Sequence, residues 1–365
     1  MKHLFLALTV VIAMAVNKAS KAEILVGIGA PLSGQYAWGG EQYRVGADVA
    51  LEKINAAGGV LGHQVRLIPG DDAADPDQAV AVAKKFVNDG VSAVIGHWSS
   101  GASIPASKVY EEAGILMISP SATNTKLTDE GGPSIFRVCG RDDSQGIVVG
   151  DYLASNWGDK KIAILHDGGA YGLGLAEETK KKINSLGVSE VIFDSYQPGD
   201  VDYSPVVNKL IDAGTDVLFV GGYPAEMGLI LREARDQNDD LQFVSGDSLS
   251  TPDFWLITGP AGEGSLFTFF PDPRFNPDNA DLVEEFRARG IEPDGYTLYA
   301  FAAVQVWADA VEKAGTLDLD TVISVMHNEK FDTVLGTLDF DTNGDITDPG
   351  FSWYSWTNGE YLPVQ

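Results

Sequence analysis

Two short stretches of this chain end an apolar run in small hydroxyl residues. Ala93-Val94-Ile95 leads into Gly96-His97-Trp98-Ser99-Ser100-Gly101, and Leu116-Met117-Ile118 leads into Ser119-Pro120-Ser121-Ala122-Thr123. A buried strand that stops in such a turn and opens a helix presents hydroxyls and unpaired backbone N–H groups, which suit an anion. Either stretch alone is also what an ordinary helix cap looks like. Together they put Ser100 and Thr123 at neighbouring strand ends, a way to hold a small carboxylate without a charged side chain. A complementary group follows the strand-like run ending at Ser245, where Gly246-Asp247-Ser248 sets an acid at the mouth of a second unit. Tyr171 and Tyr223 begin helices after strands of that unit, as packing aromatics or as pocket walls.

Other chemistries fail on spacing. Gly27-Ile28-Gly29-Ala30-Pro31-Leu32 begins like a dinucleotide fingerprint, but Leu32 replaces the third glycine and Pro31 obstructs the helix start. Asp339-Phe340-Asp341-Thr342-Asn343-Gly344 begins like a calcium loop, yet its twelfth position is Gly350 instead of Glu, so a hairpin turn at Asn343-Gly344 is expected. His63, His97, His166 and His327 lack metal-ligand spacing, and neither Ser99 nor Ser100 lies in a nucleophile elbow. No metal, no cofactor and no catalysis are expected. What remains is recognition chemistry.

Alternating strand-like and helix-like patterns must position these groups. Ile24 to Ala30 and Val65 to Pro69 read as strands; Ala47, Ala50, Leu51 and Ile54 mark one helical face, and Asp75-Pro76 opens a helix ended by Gly90. The two hydroxyl-ended strands follow, with a helix near Ile104 to Ala113 between them. The same grammar restarts after Arg141, with strands at Lys161 to Leu165, Val191 to Tyr196, Val217 to Val220 and Gln242 to Ser245. The pattern predicts α/β architecture in two lobes, each a mainly parallel sheet flanked by helices. Helices at Leu282 to Arg289 and Tyr296 to Ala314 exceed what the second lobe needs, so the chain is expected to return to the first. The predicted boundaries are 23–140 plus 270–345 for lobe 1 and 141–269 plus 346–365 for lobe 2. Three crossings make a hinge, and a hinge makes a cleft.

Composition sets the address. Lys2, the apolar stretch Leu4 to Val16 and the small-residue site Ser20-Lys21-Ala22 read as a signal peptide over 1–22, which predicts export to the periplasm. No cysteine lies near the cleavage site, so no lipid or other direct membrane anchor is expected. The 365 residues carry 52 acidic against 25 basic side chains, a net charge of −27, which argues against nucleic acid and anionic lipid as partners. Cys139 is the single cysteine, so no internal disulfide can form.

The runs GHWSSGASIPAS, ILMISPSAT, LHDGGAYGLGLA, GGYPAEMGLILREA and DDAADPDQAVAVAKKFVNDG together resemble the leucine/isoleucine/valine-binding proteins of bacterial ABC importers. The resemblance covers the chain from Glu23 onward, in order. It implies a type I periplasmic binding protein with a three-segment hinge, a monomer that closes on a small amino acid and delivers it to a membrane permease. It further implies that the hydroxyls of Ser100 and Thr123, with backbone at Trp98, Ser121 and Ala122, hold the ligand carboxylate. Asp247 falls where the family has an acid for the ammonium, Tyr171 and Tyr223 on its ligand-facing tyrosines, and Trp38 and Tyr296 on pocket aromatics. Two departures bear on the ligand: Asp247 is shorter than the frequent Glu, and Trp98 is bulkier than the residue common there. The expected ligand is a branched-chain or small aliphatic amino acid; if the Trp98 ring enters the pocket, alanine, valine, proline or a short ω-amino acid such as γ-aminobutyrate is favoured over leucine, and if it points into its own lobe it contributes only backbone. The alternative is the same fold holding a short amide or carboxylic acid for a transporter or sensor, and Asp247 discriminates, because such a ligand leaves its carboxylate unpaired.

Overall fold

A computed structural model describes residues 22–364 apart from Asp239. The expected signal peptide, except for Ala22, lies outside the described residues. The first unit is built from β1 (Ile24–Ala30), α1 (Ala37–Ala56), β2 (Val65–Asp71), α2 (Pro76–Asp89), β3 (Ala93–Gly96), α3 (Ser100–Ala113), β4 (Leu116–Ser119), α4 (Lys126–Asp129) and β5 (Ile135–Arg137). Its strands pair in the order β2-β1-β3-β4-β5, all parallel. Both faces of that sheet are covered, which is why β3 and β4 are apolar without alternation and fully buried. Ala93, Ile95, Leu116 and Ile118 face one core, while Val94 and Met117 face the other with Phe86 and Tyr110.

The chain then forms α5 (Asp142–Trp157), β6 (Ile162–His166), α6 (Ala170–Ser185), β7 (Ile192–Ser195), α7 (Ser204–Ala213), β8 (Val217–Gly221), α8 (Pro224–Gln237), β9 (Gln242–Ser245), α9 (Pro252–Thr258) and β10 (Leu266–Phe269). It next forms α10 (Ala280–Ala288) and then α11 (Thr297–Ala314), which packs along α1 and so returns to the first unit. After α12 (Leu319–Asn328), the strands β11 (Phe331–Thr333) and β12 (Gly336–Leu338) make a small hairpin. Finally β13 (Ser352–Thr357) and β14 (Glu360–Pro363) add antiparallel to the second sheet, whose order is β14-β13-β10-β9-β8-β6-β7. Neither β10 nor this closing pair was signalled by a clear alternation in the sequence.

Local chemistry explains several boundaries. Asp75 caps α2 by accepting from the Gln78 N–H at 2.8 Å, Pro76 opens the helix, and Gly90 ends it in the left-handed conformation. The helix expected near Ile104 starts earlier, at Ser100, because Ser99 Oγ accepts from the Ala102 N–H at 3.2 Å. The glycines of the dinucleotide-like run serve packing: a Cβ on Gly27 would stand 2.9 Å from the Phe86 ring, and one on Gly29 2.7 Å from His97. The turn at Asn343-Gly344 closes an antiparallel bridge between Phe340 and Ile346 that extends no further into strands, and Asp341 Oδ1 accepts from the N–H groups of Asn343 and Asp345 at 2.8 and 3.0 Å.

Three segments pass between the sheets, and they meet at Gly140. A Cβ there would lie 2.8 Å from Pro349 and 2.9 Å from both Phe270 and Phe351. Beside this junction the buried Arg137 guanidinium pairs with Asp345 at 2.6 Å and donates to the Ala122 and Asn124 carbonyls at 2.7 and 3.0 Å. The crossing at Asp345 is therefore tied to the loop that follows β4.

Candidate functional site

The loops after β3 and β4 are laced together by their hydroxyls. Ser121 Oγ donates to the Trp98 carbonyl at 2.6 Å and lies 2.7 Å from the Tyr43 hydroxyl; Ser119 Oγ donates to the His97 carbonyl at 3.2 Å. Ser100 Oγ accepts from the Asn124 N–H at 3.2 Å. Beneath them His97 is fully buried, with Nδ1 2.5 Å from Asp72 and Nε2 2.7 Å from the Tyr110 hydroxyl, so this histidine fixes the loop. Backbone held so firmly at the start of α3 keeps its free N–H groups aimed in one direction.

Facing these loops, Asp247 follows β9 and is buried. The Tyr171 hydroxyl donates to Oδ1 at 2.9 Å, and the Tyr296 hydroxyl donates to Oδ2. Tyr171 comes from α6 beside the second sheet, Tyr296 from the start of α11 beside the first. Burial pushes the Asp247 carboxyl above its ordinary range, and the tyrosine hydroxyls and Gln145 pull it part of the way back.

Between the two walls lies a small cavity, about 10 Å³, lined by Trp98, Ser100, Ser121, Tyr171, Tyr223, Asp247 and Tyr296, with Ser99 and Ser248 completing it. Trp98 borders it, and its indole packs over Gly39, where a Cβ would stand 2.4 Å from the ring. Trp98 packs 5.1 Å from Tyr223 and edge-on to Trp38 at 5.0 Å, ring centre to ring centre.

Three of the expected residues lie outside the lining of this cavity. Trp38 is not among the lining residues; it packs edge-on against Trp98 and borders a separate hollow with Gln42 and Asp294. Thr123 and Ala122 do not line it either. The Ala122 carbonyl turns back to Arg137, and the Thr123 side chain is fully buried with its hydroxyl unpaired among the described residues.

Other contributors escaped the sequence reading. Tyr36 lies 4.8 Å from Tyr223 and 6.0 Å from Trp98, and its place just after the first strand is the signal that could have found it. Asn124 Nδ2 donates to the Ala170 carbonyl at 2.7 Å, and Gln35 Nε2 to Glu226 Oε1 at 3.3 Å. These contacts and the Tyr296–Asp247 bond join the first unit to the second, so the two are closed on the cavity. Asp142, at the start of α5, is buried, and neither carboxyl oxygen has a hydrogen-bond partner among the described residues.

A cavity between two α/β units, with hydroxyl side chains on one wall and a carboxylate on the other, defines a protein suited to hold a small polar ligand. No nucleophile with a base faces it, and no group of metal-ligating side chains occurs among the described residues. The chain belongs to the Periplasmic binding protein family, whose profile matches residues 23–359, and is a non-enzymatic binding protein of type I fold. It is 47% identical over 359 residues to Leu/Ile/Val-binding protein homolog 1 of Brucella suis, covering 98% of this chain and 97% of that one. It is 41% identical over 360 residues to an amino acid binding protein of Pseudomonas aeruginosa, covering 98% and 96%. Among solved structures, a leucine-binding protein of Thermotoga maritima superposes with a TM-score of 0.86 at 26% identity, over 94% of this chain and 98% of that one. A branched-chain amino acid transporter substrate-binding protein of Streptococcus pneumoniae in complex with isoleucine gives 0.83 at 25% identity, over 94% and 99%. No helix among the described residues is long and apolar enough to cross a membrane.

Proposed function

We propose that this chain captures a branched-chain amino acid in the cavity between its two units and delivers it to the membrane permease of an ABC importer. The observation that carries the reading is Asp247: a buried carboxylate opposite a hydroxyl-lined wall is paired only by a ligand that brings a cation at one end and an anion at the other. The ammonium lies against Asp247 with Tyr171 and Tyr296. The carboxylate lies against the Ser100 hydroxyl and the backbone at Trp98 and Ser121, with Ala122 and Thr123 behind them, and the aliphatic side chain lies against Trp98 and Tyr223. The names of the full-length relatives support a leucine, isoleucine or valine ligand and give no support to proline or γ-aminobutyrate, which are set aside.

The units 23–140 plus 270–345 and 141–269 plus 346–365 act as lobes that close about the junction at Gly140. Residues 1–22 direct export, and the exported monomer works in the periplasm. Calorimetric titration of refolded, ligand-stripped protein with leucine, isoleucine and valine tests the reading. Saturable binding of at least one is expected, and binding of a short carboxylic acid or amide in preference to all three overturns it.

A further inference from the structure

Behind the hydroxyl wall lies a titratable group that the proposed amino-acid site leaves unused. Asp142 is 1% exposed, and neither of its oxygens has a hydrogen-bond partner among the described residues. Its N–H donates to the Thr123 carbonyl at 2.9 Å, which fixes the start of α5 against the loop after β4. The carboxyl lies beside the Thr123 hydroxyl, which is fully buried and has no other hydrogen-bond partner among the described residues. On its other side α6 presses close: a Cβ on Gly174 would stand 3.2 Å from Asp142 Oδ2 and 2.5 Å from Asn124 Nδ2. Because the Asn124 amide bonds to Ala170 across the two units, this packing belongs to the closed form.

An ionised carboxylate cannot remain there cheaply. The charged and titratable groups that face it are Asp247, Asp143, Arg137, Tyr171, Tyr223 and Cys139. Of these only Arg137 is cationic, and its guanidinium is already committed to Asp345, Thr128 and two carbonyls. Burial pushes the Asp142 carboxyl well above the usual carboxylate range and Asp247 adds to the push, while Thr123 and Arg137 oppose it. The start of α5 also favours the anion, but a helix terminus offsets only a small part of full desolvation.

We propose that Asp142 is a positioning residue that enters the closed form as a neutral carboxylic acid and donates its proton to Thr123 Oγ1. With its oxygen accepting, the Thr123 hydroxyl is left to donate toward the ligand carboxylate, either directly or by a small shift of its loop. Bulk water supplies the proton as the units close, so closure takes up a proton. The sign follows: closure is unopposed at low pH and weakens as pH rises through the raised value that Asp142 has in the closed form. This inference rests on the amino-acid reading of the cavity.

The test combines infrared spectroscopy of ligand-bound full-length protein with calorimetry from about pH 5 to about pH 9, the span over which a raised carboxyl separates from ordinary ones. Isoleucine is the probe, and Asp142→Asn, Asp142→Ala and Ser100→Ala are compared with wild type. The expected results are a neutral-carboxyl stretch lost in Asp142→Asn, and wild-type affinity that falls on the alkaline side. Asp142→Asn, whose amide also donates to Thr123, keeps affinity without that alkaline fall, whereas Asp142→Ala loses about tenfold, the loss of one charge-linked hydrogen bond. Absence of the stretch in wild type overturns the proposal whatever the ligand. Wild-type affinity in Asp142→Ala also overturns it, since it would mean that an ionised Asp142 merely occupies Thr123. Unchanged affinity in Ser100→Ala, with the stretch present, marks failure of the underlying carboxylate reading and removes the positioning role with it.

Discussion

Trp98 and Tyr223 stand 5.1 Å apart, ring centre to ring centre, one carried by the loop after β3 and the other by the residue capping α8. Their contact bridges the two units and bounds the cavity on its apolar side, where a ligand side chain would lie. Trp98 therefore both shapes the pocket and helps hold it shut.

From that geometry, Trp98→Leu should weaken valine binding, through the lost aromatic contact, more than leucine binding, which gains room. The ratio of leucine to valine affinity should rise by about fivefold, the worth of roughly one accommodated methylene. Competition titrations of both amino acids against the variant read the ratio directly. An unchanged ratio would mean that the indole does not limit side-chain size.

Asp247→Asn should weaken amino-acid binding by about 2–5 kcal/mol, because the ammonium loses its charged partner in a buried site. The pH dependence has a definite sign. The carboxyl of the empty closed site is raised by burial, and an ammonium ligand lowers it again, so affinity is present above the raised value and lost as pH falls through it. Titrations of wild type across the acidic range should show this limb, and Asp247→Asn should lack it.

Ser100→Ala removes a hydroxyl at the first turn of α3, where it borders the cavity. A hydrogen bond to a charged acceptor contributes about 1.5–3 kcal/mol, so affinity should drop about tenfold or more. Ser121→Ala should differ in kind. It cuts the links to the Trp98 carbonyl and the Tyr43 hydroxyl, so thermal stability should fall together with affinity.

At the junction of the crossing segments, Gly140→Ala would bring a Cβ to within 2.9 Å of side chains from both other segments. Overpacking of this kind costs about 1–3 kcal/mol. Denaturant unfolding should show the loss, and small-angle scattering should show whether the variant still contracts when leucine is added. Ligand-stripped wild type should contract on saturation, since the ligand can touch both walls only in the closed form.

Much of this protein was legible in contiguous sequence. Apolar runs ending in Ser99-Ser100 and Ser119 to Thr123 marked strands β3 and β4 and their loops, because strand burial and turn chemistry are properties of neighbouring residues. Asp247 was visible for the same reason, as an acid directly after a buried strand. The packing of Trp38 depends on a neighbour distant in sequence, the Trp98 ring, which fits beside α1 only because Gly39 leaves it space. Tyr36 meeting Tyr223, and Tyr296 reaching Asp247, likewise depend on how the units close. The isolation of Asp142 has the same origin, since desolvation is set by everything that packs around a group and is not written in its own segment. Local pattern thus determined which loops could bind; only tertiary packing decided which of their side chains face the cavity and which are sealed behind it.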